Sequence, residues 1–366
     1  MRMWFVNLVC LSLLSSCASE PTAPGKLVME EFVLSASFDG SSGPYVADLD
    51  TMVIRPDDNQ AHPLAVINHG TIGHAEKRTF PKEMRGIAQE FARRGWIAVA
   101  FTRRGFGKSG GRFAEGLGKY PAAEYERSGR AAASDIREVI RLMAGKAYVN
   151  ANRVISVGFS TGGFATVALT ADPPPGLVAA INFAGGNGSL GPGSFVHNEA
   201  ALIDAFGKFG KTSRIPMLWV YAVNDRSFGP ALAKKLCDAF KDGGGKVDFI
   251  ETAPLGNDGH QMFTRVYASV WTHYMDDFLA KQNLKLMEGL IAVDDETGVN
   301  FPSQLNPTLK KGFLDYLDAG DHKAFAVSSS QSWNWVNKQV SAEAAEKNVL
   351  RGCNDCNVVS IDGHAP

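Results

Sequence analysis

The stretch Gly158-Phe159-Ser160-Thr161-Gly162-Gly163 sets a serine between two glycines. It lies directly after an apolar run, Arg153–Phe159, and directly before a small-residue helical pattern, Gly163–Leu169. A hydroxyl on a sharp strand-to-helix turn stands clear of the sheet, and flanking glycines leave room for the strained backbone such a turn needs. The bare spacing G-x-S-x-G arises by chance in a chain with 38 glycines, so its weight comes from the strand before it and the helix after it. Serine alone is a weak nucleophile. It needs a base to take its proton and a carboxylate to orient that base.

Both partners have candidates downstream. Met217–Ala222 runs into Val223-Asn224-Asp225, which puts Asp225 just past the carboxyl end of a strand. Val247–Glu251 is followed by the loop Thr252–Asp258 and then Gly259-His260-Gln261. The chain order Ser160, Asp225, His260 is nucleophile, acid, base, and all three leave the sheet at the carboxyl edge, where ligands collect in open α/β sheets. Asp225 as a plain turn residue and Asp258 as a rival carboxylate remain the alternatives. An acyl-transfer site also needs donors for the oxyanion. The backbone N–H of Thr161 is one candidate. Thr71, in Asn68-His69-Gly70-Thr71-Ile72-Gly73-His74 after the strand Leu64–Ile67, is the other. His69 precedes the turn and reads as a structural loop residue. His69 and His74 have no acidic partner at ligand spacing, so no metal is expected. Gly107-Lys108-Ser109 ends like a phosphate loop, but the first glycine of that motif would fall on Thr102; no nucleotide or other cofactor is implied.

These residues need a scaffold. Apolar runs of strand length fall at Leu64–Ile67, Trp96–Phe101, Arg153–Phe159, Leu177–Phe183, Met217–Ala222 and Val247–Glu251. Helical patterns lie between or after them at Lys82–Arg94, Ser128–Ala144, Gly162–Leu169, Pro230–Asp242 and Gln261–Lys281. Alternation of this kind predicts an α/β fold, a mostly parallel central sheet with helices on both faces. Glu30–Ser37 and Tyr45–Ile54 alternate more strongly and predict antiparallel edge strands.

Residues 28–285 resemble an α/β-hydrolase, closest to the dienelactone hydrolase-like and prolyl oligopeptidase-like branches. The matching pieces are Asn68-His69-Gly70, Arg104-Gly105-Phe106-Gly107-Lys108-Ser109-Gly110, Gly158–Gly163, Asn224-Asp225 and Gly259-His260, in the family's order. Dienelactone hydrolases proper carry a cysteine as nucleophile, and this chain has Ser160. The resemblance therefore implies a serine esterase acting on a small-molecule carboxylic ester through an acyl-enzyme. A serine peptidase acting on short peptides is the runner-up, although prolyl oligopeptidase relatives usually carry a propeller and none is expected in the residues before 28. An inactive binding lipoprotein of the cell envelope is the alternative from another class, and the complete ordered triad speaks against it.

Specificity is less legible. Residues 184–216 lie where related enzymes insert a cap, and Phe195, Leu202, Ile203, Phe206 and Phe209 read as helix packing or as the wall of an acyl pocket. Phe113, Tyr120 and Tyr125 in the loop Gly111–Glu126 are further candidates to border the cleft.

The ends of the chain carry other signals. Arg2 followed by the apolar run Met3–Leu14 suits a signal peptide over residues 1–16. Leu14-Ser15-Ser16-Cys17 resembles a bacterial lipobox, with Cys17 acylated, residues 17–27 a tether, and the protein exported to the cell envelope or periplasm. A cleaved secretory signal ending near Ala18 is the alternative. Membrane contact is expected only through this anchor. Residues 286–306 read as a linker and 307–366 as a small C-terminal α+β module, with a helix at Pro307–Leu317, strands at Lys323–Val327 and Val358–Ile361, and a helix at Ser341–Val349. Cys353 and Cys356 follow a helix and precede a strand, the reverse of a thioredoxin-type pair, and predict a structural disulfide. Cys237 reads as a buried thiol among Leu232, Leu236 and Phe240. Trp333 and Trp335 read as core or interface residues, with polymer binding the alternative. Lys and Arg total 37 against 38 Asp and Glu, which leaves no basic footprint for nucleic acid. An apolar fraction of 45% excludes disorder for most of the length.

Overall fold

Two long strands, β1 (Leu27–Phe38) and β2 (Tyr45–Pro56), open the fold as an antiparallel pair with Leu34 opposite Leu49. The computed structural model describes residues 25–40, 43–71, 80–118, 124–293, 299–351, 353 and 355–366. The leader, Cys17, His74 and Tyr120 lie outside the described residues. Strand β2 pairs antiparallel with β4 (Ile97–Phe101). From β4 the sheet runs parallel through β3 (His62–Asn68), β5 (Val149–Phe159), β6 (Leu177–Phe183), β7 (Pro216–Ala222) and β8 (Lys246–Thr252), giving the order β1-β2-β4-β3-β5-β6-β7-β8. The expected parallel sheet with an antiparallel edge is therefore present. Strands of its centre are apolar on both faces because helices cover both: every residue of Ile97–Phe101 is buried, whereas β1 alternates.

The helices are α1 (Phe80–Glu83), α2 (Arg85–Ala92), α3 (Tyr125–Ala144), α4 (Thr161–Thr170), α5 (Glu199–Thr212), α6 (Pro230–Asp242) and α7 (Ala268–Lys281). Two differ from the sequence expectation. Lys82–Arg94 is two short helices separated at Met84. Gln261–Lys281 begins instead as a 3₁₀ turn, Gly259–Met262, and becomes α-helical only at Ala268. Tertiary partners override the helical pattern between them. Phe263 stacks on Phe183 with centroids 4.4 Å apart, and Arg265 reaches carboxylates of the C-terminal module. Helix α5 occupies the expected cap region, but its Leu202, Phe206 and Phe209 are buried in the main core and Ile203 packs against it.

The C-terminal module folds as α8 (Pro307–Asp318), β9 (Ala324–Ser328), β10 (Trp333–Val336), α9 (Ala342–Val349) and β11 (Cys356–Ile361), with an antiparallel sheet in the order β10-β9-β11. Strand β10 was not expected; Trp333–Val336 is only four residues long, too short a run for its alternation to stand out as a strand. Leu309, Phe313, Tyr316, Phe325 and Val359 form a core of the module's own. A disulfide joins Cys353 to Cys356 at the start of β11, with Cα atoms 5.5 Å apart. The module is fastened to the sheet domain by charge. Asp318 accepts from Arg85 at 3.2 Å and from Arg265 at 3.1 Å, Asp315 lies 3.5 Å from Arg265, and Glu83 accepts from Lys338 at 2.8 Å. Cys237 is buried beside Leu236 and Phe240, as its neighbours predict. Among the described residues no helix is long and apolar enough to cross a membrane.

Candidate active site

Strand β5 ends at Phe159 and α4 begins at Thr161, leaving Ser160 alone to reverse the chain. It does so at φ 55° and ψ −122°, a backbone that non-glycine residues rarely hold. The turn closes only because its flanks lack side chains. A β-carbon on Gly158 would meet the carbonyl of Gly162, and one on Gly162 would meet the carbonyl of Asn68. Hydrogen bonds hold the strained residue from both sides: Ser160 N–H donates to Phe183 O at 3.0 Å, and its carbonyl accepts from Phe164 at 3.0 Å and Gly186 at 3.1 Å. Beneath the turn, the buried Asn68 amide donates to Ser156 Oγ and Thr166 Oγ1, each at 3.0 Å, tying β3, β5 and α4 together. Behind it, Tyr221 donates to Gly185 O at 2.6 Å; full burial pushes its hydroxyl pKa far up and keeps it a donor.

The three sequence-designated side chains meet here. His260 Nε2 lies 3.2 Å from Ser160 Oγ, and His260 Nδ1 lies 3.1 Å from Asp225 Oδ2. A carboxylate accepts only, so Nδ1 carries the proton and Nε2 is left to accept from the serine hydroxyl. The other oxygen of Asp225 accepts from the backbone N–H groups of Ser227 and Phe228, both at 2.8 Å, which fixes its plane. All three residues are at least nine-tenths buried. Asp258, the rival carboxylate, does a different task. It caps the 3₁₀ turn by accepting from His260 N–H and also from Arg226 N–H, each at 3.0 Å. Asn224 joins the two loops, since its side chain accepts from Leu255 N–H at 2.9 Å and donates to Gly256 O at 3.1 Å.

Thr161, as the first residue of α4, has no acceptor for its N–H one turn back. Gly70 passes over the serine, since a β-carbon on it would lie 2.9 Å from Ser160 Cβ, and Thr71 follows it in the chain. The loop is held by a residue that sequence reasoning missed. Arg103, fully buried, donates from its side chain to His69 O at 2.7 Å and to Glu115 at 2.5 Å, and reaches Thr161 Oγ1 at 3.4 Å. Its backbone N–H donates to His69 Nε2 at 3.1 Å, so the other ring nitrogen donates to Gly70 O, at 2.9 Å. With both nitrogens so engaged, His69 is a structural loop residue, as its place before the turn suggests. Nothing in the pair Arg103-Arg104 after a strand singles out Arg103 for this role; the signal is the burial, which sequence does not display.

A cavity of about 710 Å³ opens beside the serine. Gly70, Phe159 and Phe263 line one side, and Trp333 and Trp335 of β10 line the other. The residues offered from residues 184–216 do not reach it: Phe195 is 87% exposed, and Leu202, Phe206 and Phe209 are in the core. Phe113 is exposed and Tyr125 is buried under Asn198, so the second loop contributes neither to the lining. Among the described residues, one group has the proximity of metal ligands, Cys353, Asp355 and Cys356, and its two sulfurs are bonded to each other.

A family model for the X-Pro dipeptidyl-peptidases of the S15 family matches residues 43–214 of this chain. No curated protein matches it. Among solved structures, the Pyrococcus furiosus esterase Pf2001 superposes with a TM-score of 0.50 at 14% identity, covering 69% of this chain and 91% of the esterase. Thermogutta terrifontis esterase 2 superposes with a TM-score of 0.49 at 17% identity, covering 70% of this chain and 97% of the other. Likeness at these identities is likeness of fold.

Proposed function

We propose that this chain, an α/β-hydrolase, cleaves carboxylic esters through an acyl intermediate on Ser160. The observation that carries the reading is the hydrogen-bonded chain from Ser160 Oγ through the His260 ring to Asp225, mounted on a strained strand-to-helix turn. In this reading Ser160 Oγ attacks the ester carbon as its proton passes to His260 Nε2. Asp225 keeps the ring in the productive tautomer and stabilises the imidazolium. The carbonyl oxygen becomes an oxyanion facing the N–H groups of Thr161 and Thr71. On collapse the carbon–oxygen bond to the alcohol breaks and His260 returns its proton to the leaving oxygen. Water then repeats the sequence, giving up a proton to His260 and releasing the acid from Ser160.

The lining of the cavity favours an ester over a peptide with a free amino terminus. A desolvated ammonium needs a carboxylate partner. Glu83 already accepts from Lys338 and Asn337 and Asp315 faces Arg265, while Asp258 gives one carboxylate oxygen, Oδ1, to two backbone N–H groups. The test is hydrolysis of p-nitrophenyl acetate, butyrate and octanoate by the protein from Ala18 onward, beside its Ser160→Ala variant. Turnover is expected to drop by roughly three orders of magnitude or more in the variant. Equal, near-background rates for both proteins would remove the ester reading and bring peptide and binding functions forward.

A further inference from the structure

The far wall of the cavity beside Ser160 belongs to the C-terminal module. Trp333 and Trp335 alternate along β10 and so share one face of that strand. The module's core fixes both rings. Trp333 stacks on Phe325 with centroids 5.7 Å apart and planes within 6°, and Trp335 meets the edge of Tyr316 at 6.5 Å. Both remain only half-buried and line the cavity. Across from them, Phe159 lies 5.0 Å from the His260 ring, one residue from the nucleophile, backed by the buried Phe263 at 6.4 Å, which stacks on Phe183 at 4.4 Å.

Most charge in the lining is spent on holding the module, and Asp258 caps the turn before His260. Glu83 is paired with Lys338, and Arg265 with Asp315 and Asp318. An ionic substrate group entering beside Glu83, Arg265 or Asp315 would displace existing pairs, whereas a flat apolar group would meet aromatic surfaces already fixed in place. The volume of about 710 Å³ far exceeds what an acetyl or ethyl group fills, and lies in the range that encloses a drug-sized molecule.

We propose that the C-terminal module is the specificity element of this enzyme, and that the cavity takes an uncharged aromatic ring carried by the ester, held between Trp333 and Trp335 on one side and Phe159 on the other. This rests on the ester reading above. The module then decides which esters reach Ser160 without taking part in bond cleavage.

The experiment compares kcat and KM for ethyl benzoate, ethyl 2-naphthoate, phenyl acetate, ethyl acetate and glucose pentaacetate. It uses the protein from Ala18 onward, its variants Trp333→Ala, Trp335→Ala, Trp335→Phe and Ser332→Tyr, and Ser160→Ala. Each alanine variant is expected to lose about tenfold in kcat/KM on the ring-bearing esters, mainly through KM, with ethyl acetate unchanged. Trp335→Phe is expected to keep most of the preference. Ser332 is exposed on the cavity lining, so Ser332→Tyr fills the space without opening the module's core, and is expected to lose the larger naphthoate first. Ratios of ring-bearing to ethyl acetate hydrolysis that stay at the wild-type value in Ser332→Tyr and in folded tryptophan variants would overturn the proposal. So would a loss confined to the sugar acetate. Loss of all turnover in Ser160→Ala alongside unchanged ratios would overturn this inference alone. Retained turnover in Ser160→Ala would overturn the ester reading beneath it.

Discussion

Ser160 is held in a backbone conformation that costs on the order of 1–3 kcal/mol for a residue with a β-carbon. The surroundings enforce it through hydrogen bonds to Phe183, Phe164 and Gly186, so the strain is borne by the fold around the turn. A variant without a β-carbon is relieved of it. Ser160→Gly and Ser160→Ala both lose the hydroxyl, yet the glycine variant is expected to unfold at the higher denaturant concentration, by on the order of 1 kcal/mol. A glycine is more disordered in the unfolded chain, which subtracts from this gain. Chemical denaturation of the two variants side by side checks the sign, and an alanine variant as stable as the glycine one would mean the turn stores no strain. His260 is positioned by a different logic. Its ring has one partner on each side, and its backbone is capped by Asp258, so a small rotation would break several hydrogen bonds at once.

At the scale of elements, the loop after β4 is pinned by two buried ion pairs, Arg103 with Glu115 and Arg104 with Asp135. Asp135 on α3 also accepts from the Arg104 backbone N–H at 2.7 Å. Burial is the largest influence on this carboxyl and pushes its pKa up to about 7, against the pull of the Arg104 guanidinium. A carboxyl whose folded pKa lies above its unfolded value binds its proton more tightly in the folded state. Its contribution to stability is complete below the unfolded pKa near 4 and is lost as pH rises through about 7. Stability of the wild type should therefore fall more steeply between about pH 4 and pH 7 than that of Asp135→Asn, which has nothing to titrate there. Thermal melts across that range are the measurement, and parallel profiles would show that Asp135 is ionised throughout.

For the whole molecule, the decisive feature is the docking of the C-terminal module against the mouth of the sheet domain. Asp318 sits between Arg85 and Arg265 with its side chain 16% exposed, and burial pushes its carboxyl pKa up while the two guanidinium groups pull it down. Removing it leaves two arginines short of an acceptor at the junction. Asp318→Ala is expected to cost on the order of 2 kcal/mol of docking stability, the range of hydrogen bonds to charged groups. Amide hydrogen exchange should then rise across α8, β9 and β10 while β5 and α4 stay protected; uniform protection in the variant would show that the apolar core alone holds the module. In such a variant the cavity would lose its tryptophan wall with the Ser160 turn intact.

Much of this was legible in the residue string, for local reasons. Periodicity of apolar side chains reports which faces are buried, so five parallel strand–helix repeats and an antiparallel edge follow from it. The serine turn is legible because Gly158 is dictated by a contact with Gly162, four residues on, although Gly162 itself answers to the distant carbonyl of Asn68. Asp225 and His260 are legible because strand ends in a parallel sheet converge on one edge. The remainder depended on residues distant in sequence. Arg103 and Glu115 give no sign of burial until the fold brings His69 and Thr161 around them. The helical pattern from Gln261 gives way at Phe263 and Arg265 because Phe183 and Asp318 offer better partners. Residues 184–216 read as helix packing or as a pocket wall; Leu202, Phe206 and Phe209 are packing, and the wall lies in β10, more than a hundred residues further on. A chain's own pattern records which side chains must leave water, and only tertiary structure decides which of them meet.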